Sequence, residues 1–373
     1  MRILIAPDKF KGTLTGAEAA AAIAAGVRRV LPDADITMQP IADGGEGTLE
    51  AVLAAGGVRR QTRVRGPLAD SVDAPWALTG STAVIETARA SGLEFVTPSR
   101  ATAGSAHCYG SGELLTAALD AGTTEIVLGV GGSAMTDGGS GALRALGAKI
   151  LDDDGAELPL GGLPLARAAT LDLSGLDPRL HHVQLRIAVD VQNPLSGPDG
   201  AAHVFGAQKG ADASLRTALD AALARWAQLL QDTTGVDVQQ PGAGAAGGFP
   251  AAFLACMNAS LEPGFDLVAG LTGLDGKLAQ ADLVLTGEGS LDAQSEFGKA
   301  PLGLADRARN LGLPVLAVAG RITLSDADLA AHGVLHARSL ADTAPSIAAA
   351  MKSASRYAAD ASESVLRALL SNS

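Results

Sequence analysis

Three features of the sequence predict an α/β protein of two lobes. Short apolar runs alternate with Ala-rich stretches over most of the chain, Gly-rich and acidic phrases follow the apolar runs, and the rhythm breaks in the middle and returns near the end. At 373 residues the chain exceeds the size at which one core keeps growing, so two domains are expected. Hydrophobic residues make up 47% but aromatics only 3%, so the cores must be aliphatic. The formal charge of -12, without a basic stripe, argues against nucleic acid or anionic membrane as partner. Residues 17–31 are apolar but carry Glu18, Arg28 and Arg29 and are too short to span a bilayer. Met1 to Asp8 reads directly as a strand and a functional turn, with no apolar signal region, and a cytoplasmic location is expected. Cys108 and Cys256 cannot build a disulfide framework or a thiolate zinc site, and both read as small buried apolar residues.

Residues 2–6 read as a short buried strand. Thr15-x-x-Glu18 is a capping box that opens a helix to about Val30. A strand at 35–41 and a second Ala-rich helix complete two strand–loop–helix units by residue 56. Gln61–Arg65 and Ala83–Thr87 flank a Gly-Pro-rich stretch and read as antiparallel strands, which marks a change of domain. The second domain then contains a strand at 125–130, a loop region at 151–164, a strand at 185–190 and a long helix at about 212–231. Strands at 282–286, 314–319 and 334–338 restore the first rhythm. The simplest topology is an insertion: residues 1–66 and 276–373 form a Rossmann-like parallel-sheet domain, and 67–275 form a second mixed α/β domain.

The chemistry-bearing phrases lie at predicted strand ends. Asp8-Lys9-Phe10-Lys11-Gly12-Thr13 follows the first strand, where two lysines can meet phosphate or carboxylate; the plainer reading is a solvated turn. Asp43 and Glu46, beside glycines, suit a ligand or metal, although acids are also favoured at a helix N-terminus. Gly129 to Gly141, with Ser133 inside, offers N–H groups to an anion or simply packs closely. Gly242, Gly244 and Gly247 spell G-x-G-x-x-G, but residues 236–240 before them are a poor strand. Asp190 and Asn193 close another strand with an acid and an amide, a pair suited to a hard metal or to base chemistry, and Gln208-Lys209-Gly210 follows. Glu288 lies in Thr286 to Asp292 at a further strand end, with Lys299 beyond it. No Walker A sequence occurs, and the six histidines form no ligand set that spacing reveals.

In order and wording these phrases resemble the type I bacterial glycerate kinase family, through Ala6 to Thr13, Ala42 to Thr48, Gly129 to Gly139, Asp190 to Gly197, Phe205 to Ala211, Pro241 to Gly248, Thr286 to Asp292 and Gly298 to Pro301. Met135-Thr136, Ala207 and Ser105 to Cys108 depart from the family's usual wording, while the charged residues of the motifs are kept. The resemblance implies ATP-dependent phosphorylation of D-glycerate, usually to 2-phosphoglycerate, with 3-phosphoglycerate as the alternative product. ATP and Mg2+ are the expected cofactors, glycerate the small-molecule partner and a homodimer the candidate assembly. Phosphoryl transfer depends on positioning and charge neutralisation, which suggests roles for the residues. Lys9 and Lys11 would neutralise phosphate or carboxylate, and Asp190 would orient or deprotonate the glycerate hydroxyl. Asp8, Asn193, Lys209 and Ser133 would contact substrate, Gly242, Gly244, Gly247 and Gly248 with Lys299 would hold the nucleotide, and Asp43, Glu46 and Glu288 would hold metal. A nicotinamide oxidoreductase is the main rival, but its fingerprint should open the first βαβ unit, where Asp-Lys-Phe-Lys-Gly-Thr stands instead. A noncatalytic sugar-acid sensor would not need so many acids and lysines at strand ends.

Overall fold

The computed structural model describes residues 1–257, 259–293 and 300–371. Its strands, in chain order, are β1 (Arg2–Pro7), β2 (Asp35–Met38), β3 (Val58–Arg65), β4 (Ser71–Thr79), β5 (Thr82–Glu86), β6 (Glu125–Gly129), β7 (Lys149–Leu151), β8 (Thr170–Asp172), β9 (Gln184–Ala188), β10 (Ala259–Glu262), β11 (Leu283–Leu291), β12 (Val315–Ile322) and β13 (Val334–Ser339). The chain divides into two compact units, one of residues 1–43, 50–56 and 265–373 and one of 44–49 and 57–264. No helix among the described residues is long and apolar enough to cross a membrane.

In the first unit five strands form a parallel sheet in the order β13-β12-β11-β1-β2. Successive strand residues point to opposite faces, and both faces here are covered, which is why the strands read as continuous apolar runs. Ile3, Ile5, Leu283 and Leu285 pack against Ile23 of the helix Gly16–Val30 and Leu366 of the helix Ala354–Ser371. Leu4, Ala6 and Val284 share the opposite core with Leu302 and Leu304 of the helix Ala300–Asn310. The capping box forms as expected: Thr15 Oγ1 accepts from Glu18 N at 3.2 Å, and Thr15 N donates to Glu18 Oε2 at 2.8 Å. The chain winds outward to β2 on one side of β1 and to β11, β12 and β13 on the other. The order therefore reverses between β1 and β11, and open α/β sheets bind ligands beyond the carboxyl ends of the strands at such a point.

The second unit has a six-stranded sheet in the order β10-β9-β6-β5-β4-β3. β10, β9, β6 and β5 are parallel, while β4 and β3 extend the sheet antiparallel. Two details differ from the sequence reading. β5 is antiparallel only to β4, a strand hidden by Pro75 and the preceding Gly66-Pro67, and its other neighbour β6 runs parallel to it. β3 pairs with β4 along its whole length, which assigns it to the second unit although residues to 66 were expected in the first. At the other end the first unit resumes at Phe265, ahead of the expected 276. The core of the second unit centres on Leu128, Ile187 and Trp226 of the helix Ala213–Thr234, and the Trp226 indole donates to Gly138 O at 2.9 Å.

Candidate active site

β1 and β11 run side by side in the first unit, with Ala6 opposite Thr286 and Pro7 opposite Gly287. The Asp8 N–H extends this ladder by donating to Gly287 O at 2.8 Å, so Asp8, just past the end of β1, lies beside Glu288, which sits within β11 and not at a strand end as expected, because β11 runs on to Leu291. Asp8 is only 6% exposed, and its Oδ1 accepts from the Lys9 N–H at 2.6 Å with Lys9 Nζ at 3.9 Å. Burial pushes the Asp8 carboxyl up to about 7; Lys9 opposes this, whereas the nearby Asp43 and Glu288 add to it. The buried Phe10 anchors the turn that follows, its N–H donating to Leu14 O at 2.8 Å, and Lys11 is left exposed.

These acids offer hard oxygen donors, and a buried carboxyl with a raised pKa is a group that a cation would relieve. Among the described residues no three His, Cys, Asp or Glu side chains gather into a ready-made metal cage. Mg2+ characteristically uses one or two carboxylates together with water and substrate phosphates, so one or two of Asp8, Asp43 and Glu288 fit a cation held jointly with a nucleotide.

Glu46, expected beside Asp43 and Glu288, belongs to the second unit. The cause is Glu86 at the end of β5. Its Oε1 accepts from Gly47 N at 3.0 Å and Leu49 N at 2.8 Å, which ties residues 44–49 to the six-stranded sheet. Glu86 Oε2 accepts from Arg89 Nε at 2.8 Å. Burial disfavours the Arg89 charge, but Glu86, Glu94 and Glu46 more than compensate and hold its pKa above the ordinary value. Sequence reasoning missed Glu86 and Arg89. The rule that polar residues at the carboxyl ends of parallel strands position ligands or loops would have found them, had β5 been recognised as parallel to β6.

Lys209 and Ser133, both expected to contact substrate, bind each other inside the second unit. Lys209 is 2% exposed, and its ammonium donates to Met135 O at 2.5 Å and Ser133 Oγ at 3.2 Å. Burial lowers its pKa to about 8, against the pull of Asp137. Asp137 is fully buried; its Oδ2 accepts from Cys108 N at 2.9 Å, Cys108 Sγ at 3.2 Å and Gly141 N at 3.3 Å, while Oδ1 has no hydrogen-bond partner. Cys108 is thus buried as expected but polar in its contacts, and both cysteines are free thiols. This knot fixes the Gly129–Gly141 loop from within.

Asp190 is exposed just beyond β9, and its Oδ1 accepts from Gly264 N at 2.9 Å. Asn193 braces its own loop, with Nδ2 donating to Asp199 O at 2.8 Å and its carbonyl accepting from Gly244 N at 2.9 Å. The glycine phrase beside it is closely packed. A Cβ at Gly244 would lie 2.1 Å from Pro194 O, and one at Gly247 2.1 Å from Met135 O. Gly242, Gly247 and Gly248 also have positive φ, so backbone packing alone demands these glycines. Lys299 lies outside the described residues.

The model of the glycerate kinase family matches residues 3–370. The chain is 44% identical to the glycerate 2-kinase of Escherichia coli K12 over 338 residues, covering 90% of this chain and 89% of that one. It is 43% identical to the glycerate kinase of Halalkalibacterium halodurans over 354 residues, covering 94% and 93% of the two chains. A solved Salmonella typhimurium LT2 structure bearing the name glycerate kinase 2 is 42% identical and superposes with a TM-score of 0.87, over 100% of this chain and 99% of that one. With the family model matched almost end to end and relatives covered nearly in full, this chain belongs to the glycerate kinase family.

Proposed function

We propose that the chain transfers the γ-phosphoryl group of ATP to the 2-hydroxyl of D-glycerate, giving 2-phosphoglycerate and ADP. The observation that carries this is the near full-length relation to a family whose Escherichia coli member is named a glycerate 2-kinase. The buried Asp8 beside Lys9, Asp43 and Glu288, at the point where the strand order reverses, supports it. In the reaction the glycerate oxygen forms a bond to the γ-phosphorus, the bond from that phosphorus to the ADP oxygen breaks, and the hydroxyl proton passes to a base. We assign the base to Asp190, whose exposed carboxylate is held in place by the Gly264 N–H. Lys9 and Lys11 neutralise charge on phosphate or on the glycerate carboxylate. One or two of Asp43, Glu288 and Asp8 would hold Mg2+, which would supply further charge neutralisation to the phosphates.

Ser133 and Lys209 shape the binding loop from inside, and Asn193 braces its neighbour. Glu46 is assigned with Arg89 to ordering residues 44–49. The expected phosphate cradle at Gly242–Gly248 draws no support from glycines already used in packing, and Lys299 remains a candidate on sequence grounds. The same reading puts the chain in the type I bacterial branch and in the cytoplasm, a reducing compartment that suits two free cysteines. It also includes a homodimer, for which Leu335, 54% exposed on the edge strand β13, offers an apolar contact. Proton-coupled phosphorus NMR of the product made from ATP, Mg2+ and D-glycerate tests the reading. Phosphorus coupled to the single C2 proton is expected; coupling to the C3 protons assigns 3-phosphoglycerate, and the absence of a phosphorylated product overturns the activity.

A further inference from the structure

The first unit carries an open pocket of about 190 Å³ beside the carboxyl-terminal parts of β11 and β12 and the turn after β1. Clefts that take whole drug-sized ligands run to roughly 300–1,000 Å³, so this space suits one ring system. Phe10 and Lys11 follow β1, Gly289 lies in β11, Gly320 and Arg321 lie in β12, and Ile347 and Met351 complete an apolar wall. That wall is unusual: Ile347 and Met351 are 67% and 55% exposed and one turn apart on the short helix Ile347–Lys352. Large aliphatic residues standing in water around a concave, mainly apolar surface mark a ligand site better than a solvated face. Methionine in particular makes favourable contacts with aromatic rings.

The polar side of the pocket has one sign. Lys11 and Arg321 are its only charged lining residues among the described residues, and both are exposed. The pocket also adjoins the acid cluster in sequence on two neighbouring strands: Asp8 and Lys9 precede Phe10 and Lys11, and Glu288 precedes Gly289. A ligand whose flat apolar end fills the pocket would therefore carry its anionic end past Lys11 and Arg321 towards Lys9 and the carboxylates.

From this we infer that the pocket seats the adenine base of ATP, with Ile347 and Met351 against the ring and Lys11 and Arg321 at the phosphates. The inference rests on the kinase reading and gives the nucleotide a site in the first unit instead of the Gly242–Gly248 loop. The test uses the full-length protein, the exposed-residue variants Ile347→Glu and Met351→Glu, and Met351→Leu as the conservative control. Each acidic variant is expected to raise KM for ATP about tenfold, the equivalent of ~1.4 kcal/mol, with KM for glycerate unchanged and Met351→Leu near wild type. Photolabelling with 8-azido-ATP, without glycerate, is expected to modify residues 341–354, and excess ATP to abolish the label. An unchanged KM for ATP, an equal rise in both KM values, or a label on residues 241–248 overturns the assignment. Wild-type ADP release in the presence of glycerate is scored separately, so failure of the pocket is distinguishable from failure of the kinase reading.

Discussion

Where β1 ends beside β11, the five-stranded sheet gathers Lys9, Asp43 and Glu288 around Asp8, and burial pushes the Asp8 carboxyl up to about 7. Beyond β6 in the six-stranded sheet, Asp137, Lys209, Ser133 and Cys108 turn inward and bind one another. The two regions have the same kind of sequence, a strand followed by glycines, acids and a lysine or hydroxyl. They differ in what satisfies the polar groups. In the first, a buried carboxyl is held near two other carboxylates, which favours sharing a proton or a cation. In the second, backbone and side-chain partners inside the unit do most of that work, so the residues hold a loop in shape.

The largest effect is expected on removing Lys209. Lys209→Met should destabilise the protein by about 3–5 kcal/mol, because it deletes two hydrogen bonds and the cation offsetting the buried Asp137. Adding Asp137→Asn should recover part of the loss in urea denaturation. If Lys209→Met instead leaves the midpoint unchanged and only raises KM, the knot is a substrate site.

Asp190→Asn should cut kcat by roughly 100- to 10,000-fold, as for loss of a general base, with little change in stability since the residue is exposed. Full turnover in this variant would remove Asp190 from the chemistry.

Asp8 sharpens the comparison through pH. Its folded-state pKa of about 7 lies above the ordinary value of 3.8. The folded state therefore holds a proton that the unfolded state has lost between those values, and this contribution to stability is full below about 4 and disappears as pH rises through about 7. Asp8→Asn should stabilise the metal-free protein at pH 8 by on the order of 2 kcal/mol and change it little at pH 4. The smallest effect is expected at Arg63, whose pair with Asp73 is 3.5 Å long and exposed. Arg63→Ala should cost at most about 0.5 kcal/mol in thermal melts, showing that burial, not ion pairing as such, makes the Lys209 knot sensitive.

Much of the scaffold was legible because two-sided burial writes itself into sequence: Ile3 to Ala6 and Leu283 to Leu285 are continuous apolar runs, and Thr15-x-x-Glu18 caps its helix as written. β4 was not legible, since Pro75 and Gly66-Pro67 imitate a loop, and without β4 the parallel pairing of β5 could not be seen. The candidate site was legible as residue types at strand ends and illegible as orientation. Nothing in the spacing distinguishes the exposed Lys11 from the buried Lys209, because that depends on which loops close over them. Glycine told least, for Gly244 and Gly247 are demanded by neighbouring carbonyls that lie far away in the sequence.

Kinase activity is tested by ADP release from ATP and Mg2+ by the purified protein, with and without D-glycerate. Release is expected to depend on D-glycerate, to saturate with it and to yield one phosphorylated glycerate per ADP. Release that is the same without D-glycerate, or none under either condition, would contradict this activity.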